Sequence, residues 1–209
     1  KGSTSSFVES VLRNAGYKTG LYTSPYIKVF NERIQLCGKM ISNDELAEIT
    51  EYVKPFADSM EDPPTEFELI TAIGFEFFKR QGCEIAVIEA GMGGALDSTN
   101  VIPAPLVAAI TAIGLDHTKE LGDTYGKIAK TKAGIIKPGC RVVFYGENDE
   151  AEKEIRTVCE AAGCHITIPD FENINAISSD ITGSLFNMSG HMQLKIKLIG
   201  DYQIKNAAT

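Results

Sequence analysis

Two apolar runs restrict the fold more than any other feature: Glu84–Gly91 (EIAVIEAG) and Pro105–Gly114 (PLVAAITAIG). Both are rich in Val and Ile and neither alternates with polar residues, which suits strands of a parallel sheet covered on both faces. Parallel strands need long crossovers, and helical segments stand where such crossovers belong. Phe7, Val8, Val11, Leu12 and Ala15 recur at helical spacing behind Ser3 or Thr4 as cap, and Gly16 ends the run. Capping boxes Ser42-x-x-Glu45 and Thr65-x-x-Glu68 open two further helices, the second running to Gly82. KTGLYTS reads as a short strand stopped by Pro25. TYGKIAKTKAGIIKPG reads as a helix, RVVFYG as a strand, DEAEKEIRTVCEAAG as a helix and CHITIP as a strand. Beyond residue 170 the pattern alternates, and GSLFNMSGHMQLKIKLIG predicts an antiparallel hairpin. The expected fold class is α/β: a mostly parallel sheet flanked by helices, with a C-terminal antiparallel hairpin.

At 209 residues the chain is long enough for one large domain. Its net charge of −8 argues against nucleic acid and membrane surfaces as partners, since both select basic patches. An anionic ligand must then be met by local positive groups or a metal. No apolar run reaches the ~18 residues of a membrane span. The five cysteines, Cys37, Cys83, Cys140, Cys159 and Cys164, form no CxxC pair, which points to reduced thiols, no structural zinc and a cytoplasmic location. A monomer is expected.

Ligands of open parallel sheets sit at the C-terminal ends of the strands. Ser24 follows one predicted strand, Glu89 ends another before GMGG, and His117 follows a third within GLDHT. Glu89 ends a very apolar segment, where a dry, unpaired carboxylate would be costly, so a metal or water is expected there. The opening Lys-Gly-Ser-Thr matches the end of a phosphate loop, GxxxxGK[ST], except that Gly2 stands where the metal-binding hydroxyl belongs. Alone it reads as an ordinary helix cap. GMGGALD lacks the third glycine of a dinucleotide fingerprint, Leu96 standing there, and the prolines that follow disfavour the required helix. A tight turn letting backbone approach an anion fits it better. Taken singly, His117 reads as a structural histidine and Lys132 as part of a solvated helix face.

The order of the pieces carries more. Lys-Gly-Ser-Thr, Tyr-Thr-Ser-Pro, Asn-Glu-Arg-Ile, Thr-Glu-Phe-Glu, Glu-x-Gly-x-Gly-Gly-x-Leu-Asp-x-Thr-Asn, Gly-Leu-Asp-His-Thr-x-x-Leu-Gly and Lys-Ala-Gly-Ile-x-Lys follow one another. Together they resemble the folylpolyglutamate synthase/dihydrofolate synthase family, a branch of the Mur ligase superfamily. The likeness is close from residue 1 to about residue 145 and looser to Thr209, where Tyr202 stands in place of the family's usual histidine.

The resemblance implies a phosphate-loop fold of the Mur ligase central-domain type. It implies ATP-driven amide synthesis: a carboxylate on folate or dihydropteroate attacks the γ-phosphate, and the amine of L-glutamate displaces phosphate from the acyl phosphate. By the same resemblance Lys1, Gly2, Ser3 and Thr4 bind nucleotide, and Ser24, Glu89 and His117 bind Mg²⁺. Histidine is an unusual ligand for hard Mg²⁺ and makes sense mainly in a cluster of two ions. Thr65, Phe67 and Asp97 fall at the family's folate site, where Phe67 could stack on a pterin ring. Lys132 occupies the position of a carbamylated lysine, catalytic alongside Glu89 and His117. The chain is expected to be a piece of the ATPase domain, cut inside the phosphate loop and without the glutamate-binding domain. Folylpolyglutamate synthase alone and the bifunctional enzyme both remain open, as does a phosphate-loop nucleotide-binding module with no ligase activity; a dinucleotide oxidoreductase is disfavoured.

Overall fold

The computed structural model describes residues 1–188 and 190–209; Ser189, within the predicted hairpin, lies outside them. The chain divides into two compact units.

The first unit comprises Lys1–Met92 and Asp97–Val101. Helix α1 (Gly2–Asn14) leads through Gly16, at positive φ, into strand β1 (Thr19–Tyr22). Strands β2 (Ile34–Leu36) and β3 (Lys39–Met40), helices α2 (Asn43–Asp58) and α3 (Glu66–Arg80), and strand β4 (Ile85–Ile88) follow. The sheet order is β3-β2-β1-β4. β1 pairs parallel with β4, Tyr22 opposite Ile88, and antiparallel with β2, Tyr22 opposite Ile34. Every residue of β1 is buried. Tyr22, Ile34, Ile41, Ile49, Ile70, Ile73, Phe77 and Phe78 form the core between this sheet and helices α2 and α3. Both predicted capping boxes are present: Ser42 Oγ accepts from Glu45 N–H, and Thr65 Oγ1 from Glu68 N–H. At α1 the expectation differs, because helix starts at Gly2, with Lys1 in the cap position and no side-chain cap bond.

The second unit comprises Gly93–Leu96 and Ile102–Thr209. Its parallel sheet has the order β5-β6-β7, from β5 (Val107–Ile110), β6 (Arg141–Phe144) and β7 (Ile166–Thr167). Helices α4 (Thr118–Leu121), α5 (Tyr125–Lys132) and α6 (Asp149–Ala162) belong to it. The predicted helix over residues 124–139 is shorter than expected; a 3₁₀ turn, Ala133–Ile135, replaces its last part. Ala108, Ile110, Ala129, Val142, Phe144, Ile155 and Cys159 are among the residues of the second core. β4 and β5 are less enclosed than their composition predicts, β5 alternating between exposed and buried positions. The C-terminal hairpin is β9 (Gly183–Met188) with β10 (His191–Ile196), and it gains a third antiparallel strand, β8 (Asn175–Asp180), on the far side of β9. Helix α7 (Tyr202–Ala208) closes the chain, and Lys205 forms an ion pair with Glu147.

Candidate functional site

In the first unit, the parallel register of β1 and β4 brings two predicted residues together. The ladder continues past both strands, Glu89 N–H donating to Tyr22 O at 2.9 Å. Ser24, two residues beyond β1, then donates its backbone N–H to Glu89 Oε2 at 3.2 Å. Glu89 is only 7% exposed. Among the described residues that amide is its one hydrogen-bond donor, so the carboxylate keeps most of its acceptor capacity.

The start of α1 completes the cluster. A Cβ built on Gly2 would stand 3.4 Å from Glu89 Oε2. The Lys1 ammonium reaches past the end of β4, donating to Ala90 O at 2.7 Å and Gly91 O at 2.9 Å. Lys1, Gly2, Ser24 and Glu89 therefore meet at the C-terminal ends of two parallel strands, beside a helix N-terminus whose first amides lack intrahelical acceptors.

A buried carboxylate with one donor is under-compensated, and a cation offsets it. Its oxygens suit a hard divalent ion such as Mg²⁺, which keeps several waters and binds through few protein ligands. No three His, Cys, Asp or Glu side chains group as a metal site among the described residues.

The predicted substrate residues lie in the same unit. The Phe67 ring edge stands where a side chain on Gly91 would have to go, 2.6 Å from a Cβ there, so any larger residue would have to displace the ring. Its ring is tilted against Tyr22, centroids 6.3 Å apart. Asp97 is buried and accepts from Met92 N–H at 2.7 Å and Thr99 N–H at 3.0 Å, as well as from the Thr99 hydroxyl. It thus fastens the backbone just after Gly91. Thr65 is exposed, and its hydroxyl both donates to Glu68 Oε2 and accepts from Glu68 N–H.

Two supports escaped the sequence reading. Tyr22 and Thr71 hydroxyls lie 2.9 Å apart, and Thr71 donates to Phe67 O, so the Tyr22 phenol donates to Thr71. Burial pushes the Tyr22 phenol above its ordinary pKa, which keeps that proton in place. Glu32 accepts from the backbone N–H groups of Ile27, Lys28 and Val29 and so holds the loop that follows Ser24. Its place in Asn-Glu-Arg-Ile was the available signal.

The second unit holds His117 and Lys132. His117 sits in the left-handed region at φ 51° as the cap of α4, its N–H bonded to Asp116 Oδ1 at 2.8 Å, with its imidazole exposed. Left-handed backbone at a non-glycine residue is uncommon and clusters at functional positions. Lys132 ends α5 and is half-buried. A Cβ on Gly94 would lie 2.6 Å from Lys132 O and 2.5 Å from Thr131 O, and one on Gly134 would lie 2.4 Å from Ala95 N. The glycine run thus lets two backbone segments meet, Gly94 lying against protein carbonyls. Of the neighbouring lysines, Lys127 pairs with Asp123 at 2.7 Å, Lys130 is exposed, and Lys137 donates to Ile102 O.

The Mur ligase middle domain model matches residues 1–209. Dihydrofolate synthase/folylpolyglutamate synthase of Bacillus subtilis is 38% identical over 218 residues, covering 100% of this chain and 50% of that protein. The structure of the apo form of L. casei FPGS superposes with a TM-score of 0.89 at 35% identity, over 99% of this chain and 52% of that one. A structure described as an FPGS–AMPPCP–folate complex gives 0.90 at 34% identity, over 99% and 52%. The chain spans about half the length of these relatives.

Proposed function

The chain belongs to the Mur ligase middle-domain family, and from that premise we propose that it is the ATP-binding part of a ligase that joins L-glutamate to a folate. The substrate carboxylate attacks the γ-phosphate of ATP, ADP leaves, and the glutamate amine displaces phosphate from the acyl phosphate. An anion attacking an anion needs fixed positive charge and in-line placement. The Lys1 ammonium and the first amides of α1 cradle the phosphates. Ser24 and Glu89 hold Mg²⁺, a role Ser24 takes because Gly2 carries no hydroxyl. Mg²⁺, when bound, neutralises phosphate charge in the transition state. The resemblance assigns a metal-binding role to His117 as well, two ions in all, and a carbamate to Lys132. Phe67 and Asp97 shape the folate site, Asp97 by fixing the backbone beyond Gly91. The protein works in the cytoplasm as a monomer.

One observation carries this reading: the buried Glu89 carboxylate, short of donors, lies between Ser24 and the α1 terminus. Glu89→Gln keeps the shape and removes the charge that holds the cation. In the whole protein it should leave the circular dichroism spectrum unchanged and slow Mg²⁺-dependent turnover by on the order of 10²-fold or more. Near-normal turnover would reduce Glu89 to a strand-end residue. ATP hydrolysis that persists without any glutamate-dependent product would favour the nucleotide-binding module over the ligase.

A further inference from the structure

The parallel pairing of β6 and β7 sets Val142 opposite Ile166 and Val143 opposite Thr167. Cys140 precedes β6 and Cys164 lies two residues before β7, and their sulfurs are 3.8 Å apart. Both are free thiols whose sulfurs are in contact. Lys137 O accepts both Cys140 N–H, at 3.1 Å, and the Cys164 thiol, at 3.3 Å, which holds the pair in register.

We propose that Cys140 and Cys164 are a reversible oxidation site that closes on reaction with a low-molecular-weight disulfide such as oxidised glutathione. Cys164 is half-buried and Cys140 only 3% exposed, so the oxidant meets Cys164 first. The Cys164 thiolate attacks the reagent, forming a mixed disulfide and releasing one thiol. The Cys140 thiolate then attacks Cys164 Sγ, forming the internal disulfide and releasing the second thiol. In sum two protein thiols lose two protons and two electrons, and the reagent disulfide gains both. Burial pushes the Cys140 thiol up, which suits a slow partner that reacts only when Cys164 is already activated beside it. The bond would staple β6 to β7 at their N-terminal ends, away from the strand ends where ligands bind in such sheets. It would close a loop between residues 24 apart in sequence.

The test is a glutathione redox titration of the whole native polypeptide, read by peptide mass spectrometry. A Cys140–Cys164 linked peptide should accumulate under oxidised glutathione and vanish with dithiothreitol, and the thermal midpoint should rise by several degrees on oxidation. Cys140→Ser should trap Cys164 as its glutathione adduct without that rise, and Cys164→Ser should leave Cys140 unmodified. Cys159, fully buried in the same core, is the competing thiol. The proposal is overturned if the wild type stops at the Cys164 mixed disulfide, if the cross-link runs to Cys159, or if both thiols stay reduced.

Discussion

Lys132 ends a helix whose last carbonyls lie against Gly94, so its backbone has little room to move. The carbamate proposed for this half-buried lysine forms when its neutral amine adds to CO₂. The proposed carbamate puts an anion where an ammonium would otherwise stand. Lys132→Ala in the whole protein should lose ligase activity and regain part of it with a short carboxylate such as acetate. Lys132→Arg should stay inactive, because it keeps the positive charge. Lys127 and Lys130, one paired with Asp123 and the other exposed, serve as controls and should tolerate alanine. Lys137 cannot serve, since its ammonium holds Ile102 O and its loss would act through the fold. An unmodified Lys132 in the nucleotide-bound protein would end this reading. At this scale Glu89 was legible, because a carboxylate closing an apolar strand demands compensation. The roles of Asp97 and Glu32 were not, because each depends on the fold of its own loop, nor was that of Thr71, whose partner Tyr22 lies 49 residues away in sequence.

Among the elements, the helices were the most readable, since a capping box writes its hydrogen bonds into four adjacent residues. β8 was the least readable: its six residues, Asn175–Asp180, are all exposed and carry no apolar alternation. β2 and β3 are too short, at three and two residues, for any period to register. The second box also bears on function, because Thr65 stands both at a helix cap and at the proposed folate site. Its backbone and hydroxyl bonds hold the Glu68 carboxyl below its ordinary pKa of 4.5. A depressed carboxyl contributes stability that is complete above its ordinary value and is lost as the pH falls through the lowered one. Thr65→Ala, which removes the cap, should therefore lower the urea midpoint at neutral pH, and less in acid, where Glu68 is protonated. Thr65→Ser should restore the cap. If Thr65→Ser instead raised the KM for folate as much as Thr65→Ala, the hydroxyl's surroundings would matter to substrate and not to the helix alone.

For the molecule as a whole, alternating helices and apolar strands made the α/β class legible, whereas the division into two compact units left no mark in composition. Each unit forms its own core from residues distant in sequence, and local periodicity does not report which core a segment joins. Charge is the property that acts over the entire surface. The net charge of −8 at pH 7 falls to zero near pH 5.0, and with it the repulsion that keeps copies apart. Exposed apolar side chains are not scarce: Leu96 is 99% exposed, Ile27 88% and Ile181 86%. Light scattering at fixed concentration should therefore peak near the isoelectric pH and stay low at neutrality. Ile181→Glu should move that peak to lower pH and Ile27→Lys to higher, because each changes the balance of charge. Ile27→Ser should lower the peak without moving it, because it removes apolar contact alone. A scattering maximum at neutral pH, where the charge is still −8, would mean that apolar contact outweighs repulsion and that charge does not control self-association.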